Sequence, residues 1–102
     1  MPMKPLAACA LMLVLAPAAA QDAGALRTRT LAATCAGCHG TDGHALAGAP
    51  VPGLAGRPAA ELAELLRAFR RGERAPTVMH QIAKGYDDAQ IDGLAAYFAA
   101  QR

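Results

Sequence analysis

Tryptophan is absent from this 102-residue chain, and phenylalanine and tyrosine number two each, so aromatics make up only 4%. So few large rings leave little to build a core from and call for apolar bulk from another source. Strand formers are scarce as well: beyond residue 20 the only valines and isoleucines are Val51, Val78, Ile82 and Ile91. With no run of alternating apolar and polar residues either, the fold is expected to be all-α. A strong charge of either sign is missing. Ten basic and eight acidic residues leave a formal charge of +2, which excludes a strongly basic nucleic-acid binder. Wholesale disorder is excluded by a hydrophobic content of 54%. The N-terminal apolar run, Leu6 to Ala16, has 11 residues, against about 20 for a membrane-spanning helix.

That run has the layout of a secretory signal peptide. Sixteen of the first 20 residues are hydrophobic, Lys4 supplies a positive start, and Pro17 ends the apolar segment. Ala18-Ala19-Ala20 fits the small-residue cleavage site, so residues 1–20 read as a leader cut before Gln21 and residues 21–102 as one small domain. An uncleaved anchor is the alternative, disfavoured by the short run. Leu6-Ala7-Ala8-Cys9 resembles a lipoprotein acceptor box, but such a box follows the apolar run and this one precedes most of it. Cys9 is therefore expected to leave with the leader, and no stable membrane anchor is expected. The remaining domain keeps two cysteines, Cys35 and Cys38, and one methionine, Met79.

Three helices can be placed. The first covers about 25–33, with Leu26 and Leu31 as its larger apolar residues. The second starts at Pro58, suited to a first turn because it has no N–H to leave unpaired, and stops before Gly72. Its Leu62, Leu65, Leu66 and Phe69 recur at i, i+3, i+4, i+7, a core-facing stripe. The third runs over 88–101, with Asp87 and Gln90 as a capping box and Ile91, Leu94, Ala95 and Phe98 as its stripe. Between them lie irregular stretches over 37–56 and 75–85, the second with a helical turn around Met79 to Ala83. A long irregular loop in so small a domain needs something to wrap.

Cys35-Ala36-Gly37-Cys38-His39 supplies that something. C-x-x-C-H is the attachment signature of c-type haem. Two thiols one helical turn apart reach the two vinyl groups of one macrocycle, and the adjacent imidazole reaches the iron. A disulfide or half of a zinc site could also use C-x-x-C. Zinc needs two further ligands, and only His39, His44 and His80 offer nitrogen; a thioredoxin-like site needs strands that are missing here. Export also delivers the chain to the compartment, the periplasm, where such haem is attached. One covalent haem c is the expected cofactor, with His39 as one axial ligand.

Met79 is the leading candidate for the opposite axial position. It lies 40 residues beyond His39 in the second irregular stretch and off the helical stripes. A thioether raises the reduction potential relative to a second imidazole, which suits electron transfer. His80 is the rival, and His44 a weaker one because it follows the proximal ligand closely.

These features together resemble the class I mono-haem c-type cytochromes. The resemblance rests on Cys35 to Gly40, Pro52-Gly53-Leu54-Ala55-Gly56, Pro76-Thr77-Val78-Met79 and Leu94-Ala95-Ala96-Tyr97-Phe98. It implies that the Pro52 carbonyl accepts the N–H of His39, a partner that fixes the imidazole. It also implies that the first and last helices cross, pairing the Leu31 region with Leu94, Tyr97 or Phe98. Arg or Tyr side chains then take the place of a propionate-binding tryptophan. The tract from Arg67 to Gly72 and from Thr77 to Tyr86 is similar to the cytochrome subunit of flavocytochrome c sulfide dehydrogenase. That likeness implies a flavoprotein partner that oxidises sulfide. Related halves occur in two-haem periplasmic shuttle cytochromes.

Arg67, Arg70, Arg71 and Arg74 recur at i, i+3, i+4, i+7, as a solvated helix face or a docking patch. Asp87, Asp88 and Asp92 crowd the start of the last helix, where its dipole favours them. Tyr86 and Tyr97 fit either the haem pocket or ordinary packing. Nothing supplies an acid–base pair for catalysis, so the chain reads as an electron-transfer subunit rather than an enzyme. The alternatives are a free shuttle to an oxidase or reductase and a gas-binding sensor, the last disfavoured by Met79.

Burying several hundred Å² of macrocycle at roughly 25 cal/mol per Å² is worth on the order of ten kcal/mol. That equals the whole net stability of a small domain, about 5–15 kcal/mol. A Cys35→Ala, Cys38→Ala double variant is therefore expected to be largely unfolded by far-UV circular dichroism. A helical, cooperatively melting variant would refute the dependence on haem.

Overall fold

The computed structural model describes residues 1–3, 18–75 and 77–102. Cys9 and most of the leader lie outside the described residues, as does Pro76. The described residues form helices and turns with no strand: α1 (Ala18–Ala33), α2 (Ala36–His39), a 3-10 turn (Thr41–Gly43), α3 (Ala59–Arg70), α4 (Val78–Ala83) and α5 (Asp88–Ala99). The fold is all-α, as the shortage of strand formers requires.

Local signals set the helix ends. Pro58 has φ −56° and ψ 132°, so it caps α3 rather than opening it, and the helix begins at Ala59. Gly72, at φ +72°, follows the C-cap Arg71 and ends the helix where expected. The capping box of α5 is complete: Gln90 N–H donates to Asp87 Oδ1 at 2.8 Å, and Asp87 N–H to Gln90 Oε1 at 2.9 Å. The first helix departs most from expectation. It starts seven residues before Ala25, because the alanine-rich segment around the proposed cleavage site is itself helix-forming.

The core is the meeting of α1, α3 and α5. Ala32, Leu62, Ala63, Ile91, Leu94, Ala95 and Phe98 form one buried cluster. All four positions of the α5 stripe are buried. On α3 only Leu62 of the expected stripe is fully buried; Ala63 joins it, while Leu65, Leu66 and Phe69 are half-buried. α1 and α5 pack together, and the α1 residue at the centre is Ala32, with Leu31 at its edge. Gly93 makes the approach close, since a Cβ there would lie 3.3 Å from Thr28 Oγ1.

The arginine stripe is not a free basic surface. Arg67 Nη2 donates to Asp92 Oδ1 at 2.8 Å, and Arg70 Nη2 to Asp88 Oδ1 at 2.7 Å, tying α3 to α5. Arg70 Nη1 also donates to the Tyr86 carbonyl at 3.2 Å. Arg71 pairs with Glu64 and Glu73 on its own side of the molecule, and Arg74 lies over the Phe69 ring, 5.1 Å from its centroid. The carboxylates of α5 thus serve the tertiary contact as well as the helix dipole.

Arg70 beside Asp88, with Arg67 next to it, holds the Asp88 carboxyl below its usual range. Its stabilising contribution is present above the unfolded carboxylate value, about 3.9. It is lost as pH falls through the depressed folded value. An Asp88→Asn variant is expected to melt below the parent near neutral pH, to converge on it in acid, and to lose part of the difference in high salt. Thermal unfolding across pH measures this; a gap independent of pH would show the pairs to be idle.

Candidate functional site

The C-x-x-C-H segment is itself a turn of helix. His39 N–H donates to the Cys35 carbonyl at 3.0 Å, and Gly40 N–H to that of Ala36 at 3.0 Å. Cys35 and Cys38 therefore stand three residues apart on one face of a single turn. No disulfide joins them. Cys35 is half-buried and Cys38 exposed. Burial pushes the Cys35 thiol up, with Cys38 adding to the rise and the Thr34 hydroxyl opposing it. Among the described residues no cluster of three or more histidines, cysteines and carboxylates is placed to hold a metal ion.

His39 is 8% exposed, the one buried polar side chain among the described residues. Its Nδ1 lies 2.6 Å from the Pro52 carbonyl oxygen. A carbonyl only accepts, so Nδ1 carries the proton and donates. Nε2 then keeps its lone pair, the form in which imidazole binds a metal.

The loop that carries Pro52 is closed by its own backbone. Leu54 N–H and Ala55 N–H both donate to the Gly43 carbonyl, at 2.8 and 3.1 Å. Gly56 N–H donates to the Phe98 carbonyl of α5 at 3.0 Å. Gly43 has φ +79°, and a Cβ there would sit 2.9 Å from both Ala55 N and Phe98 Cδ1, so only glycine fits. Asp42 beside it adopts φ +52°, and its carboxylate accepts from Tyr97 Oη at 2.5 Å. That hydrogen bond, with some burial, raises the Tyr97 phenol above its usual range. Tyr97 thus packs on the core and anchors this turn, and Tyr86 likewise packs against the core.

Met79 sits elsewhere, on α4, which packs against α3. The structure brings Cys35, Cys38, His39 and Pro52 together around α2 and puts Met79 on its own short helix. Thr77 caps that helix, its Oγ1 accepting from Met79 N–H at 3.2 Å, and Met79 is half-buried. His80 Nδ1 lies 2.6 Å from the Phe69 carbonyl at the end of α3, a contact that local sequence patterns do not signal. His44, the weaker rival, is exposed and closes the 3-10 turn.

The donors and their surroundings suit a haem. Two thiols one turn apart, an imidazole with Nε2 available and a thioether are the groups that bind it covalently and axially. Leu46, Val78 and Ile82 are exposed by 84, 66 and 40%, the first in the loop between His39 and Pro52 and the others flanking Met79 on α4. Exposed apolar side chains on the two segments that carry the donors fit the face of a large macrocycle.

Comparison with known proteins agrees. The family described as cytochrome c oxidase, cbb3-type, subunit III matches residues 22–98. The chain belongs to the class I c-type cytochromes. It is 39% identical over 72 residues to the cytochrome subunit of sulfide dehydrogenase from Chlorobaculum tepidum, covering 71% of this chain and 64% of that protein. It is 40% identical to cytochrome c-554(548) of Halomonas halodenitrificans, covering 67% of this chain and 84% of the other. The solved structure of Acidithiobacillus ferrooxidans cytochrome c4 superposes with a TM-score of 0.68 at 33% identity, over 76% of this chain and 50% of that one. The cytochrome therefore carries covalent haem c and transfers electrons. It spans about two thirds of the sulfide dehydrogenase subunit and half of the cytochrome c4 chain.

Gly43→Ala is expected to destabilise the haem-loaded protein by about 1–3 kcal/mol, through overpacking in a backbone conformation that alanine resists. Denaturant unfolding of the purified holoprotein measures it. Unchanged stability would mean that the loop can close without this contact.

Proposed function

We propose that Cys35 and Cys38 hold the haem through thioether bonds, that His39 and Met79 are its axial ligands, and that Pro52 orients His39. The haem supplies a one-electron couple. The protein's part is to keep the two axial donors in place through both oxidation states. The observation that carries this reading is the Nδ1–H donation of His39 to Pro52, which directs the free Nε2 away from its protein partner. Thioether donation from Met79 favours the reduced state relative to a second imidazole. We further infer that residues 1–20 are a leader removed before Gln21 and that the domain works in the periplasm. No helix among the described residues is long and apolar enough to cross a membrane.

The partner we propose is a flavoprotein that oxidises sulfide, from which the cytochrome accepts electrons. Likeness to the Chlorobaculum tepidum subunit supports it, together with the tract around Arg67 to Gly72 and Thr77 to Tyr86. A free electron shuttle is the second reading. It is favoured by an equal likeness to cytochrome c-554(548), most of whose length the chain covers.

Mild affinity purification of the mature protein from its own periplasm, with a visible spectrum before and after sulfide, separates the two. A larger co-purifying protein with flavin absorbance, and haem reduction by sulfide, is the expected result. Haem alone, inert to sulfide, would make the protein a shuttle. Met79→Ala is expected to bind carbon monoxide at the ferrous iron far faster than the parent, in which the thioether must first leave. A variant with the parent's spectrum would remove Met79 from the ligand set.

A further inference from the structure

We propose that His80 is a positioning residue for Met79: its Nδ1–H bond to the Phe69 carbonyl locks α4 onto the C-terminal end of α3 and so fixes the turn that carries the thioether. This inference rests on Met79 being the distal ligand. Helix α4 has six residues, too few to hold its own conformation without tertiary support. Its first residue, Val78, is 66% exposed. Several contacts hold it against α3 and the core. Ala83 is fully buried at its end. Thr77 caps its start. His80 provides another, one residue from Met79 and 2.6 Å from Phe69 O.

The partner of His80 is a specific one. The last carbonyls of a helix lack intrahelical donors. Phe69 O already accepts Gly72 N–H at 3.0 Å, and the His80 imidazole takes its second acceptor direction. The ring also lies against Gly72: a Cβ there would be in ordinary contact with it, 3.4 Å from His80 Cε1. The imidazole is thus held by a hydrogen bond and by packing against the same turn. Met79 and His80 are consecutive on one short helix, so a turn of α4 that releases His80 also moves Met79.

The test uses the haem-loaded protein and three readouts: the far-red band of ferric iron bound to a thioether, the rate of carbon monoxide association with the ferrous form, and far-UV circular dichroism. His80→Phe keeps a ring and removes the donor; His80→Asn keeps an amide N–H close to the Nδ1 position. Loss of one neutral hydrogen bond shifts a closed-to-open equilibrium by about two- to tenfold. His80→Phe is therefore expected to speed carbon monoxide association by about that factor and to weaken the far-red band only by the fraction of molecules that opens, with helical content unchanged. His80→Asn is expected to restore both. A His80→Phe protein with the parent's band and rate would overturn the positioning role while leaving Met79 as ligand. A parent protein without the band would overturn the Met79 ligation itself. If His80→Phe gives no holoprotein, imidazole nitrogen resonances of the parent decide. A protonated His80 Nδ1 in slow exchange supports the lock, and an Nε2-protonated tautomer overturns it.

Discussion

The direction of one imidazole governs the site. An iron in haem accepts a lone pair from a single nitrogen, and His39 can offer Nε2 only while Nδ1 keeps its proton. The Pro52 carbonyl, 2.6 Å from Nδ1, enforces that tautomer and the ring's orientation together. The rest of the loop exists to put that carbonyl there. Gly43 accepts the N–H groups of Leu54 and Ala55, Gly56 donates to Phe98, and Tyr97 holds Asp42. A stretch without regular structure is thereby tied at both ends to α5, the best-buried helix of the core.

The two axial candidates belong to different parts of the framework. His39 stands on a turn supported by α5 and the loop, Met79 on a turn supported by α3. The spacing between them is therefore set by how α3 sits on α5. That interface has an apolar part, Leu62 and Ala63 against the buried face of α5, and a polar rim, Arg67 and Arg70 against Asp88 and Asp92. The rim pairs are exposed and individually weak. They add polar ties between the two helices at the edge of the apolar contact.

Much of this was legible from residues. C-x-x-C-H named the cofactor, the period of Leu and Phe positions placed α3 and α5, and Asp87 with Gln90 placed a capping box that the structure contains. What escaped the sequence was contact between distant segments. The arginine stripe and the aspartates were each visible, but that they meet depends on helix packing. His80 showed only as a histidine next to a methionine; its partner is a backbone carbonyl 11 residues away, which carries no side-chain signal. The α3 stripe was half right because periodicity identifies a face without saying how much of it neighbouring helices cover. Pro58 was misplaced by one position because its fixed φ suits the cap and the first turn alike, and ψ decides between them.

The poverty in aromatics finds its explanation in this arrangement. Among the described residues, four of the eight buried hydrophobic ones are alanines: Ala32, Ala63, Ala83 and Ala95. Alanine lets helices approach closely but removes little apolar area from water, so close contact here comes at the expense of hydrophobic stabilisation. The covalent haem of this family supplies the missing area and, in the proposed ligation, bonds to both parts of the framework. Those two roles reinforce each other. A macrocycle that completes the core is held by the core, and donors fixed by α5 on one side and α3 on the other move little when the iron changes charge. Small reorganisation is what fast electron transfer requires, so the packing of α3 on α5 serves function as directly as the ligands do.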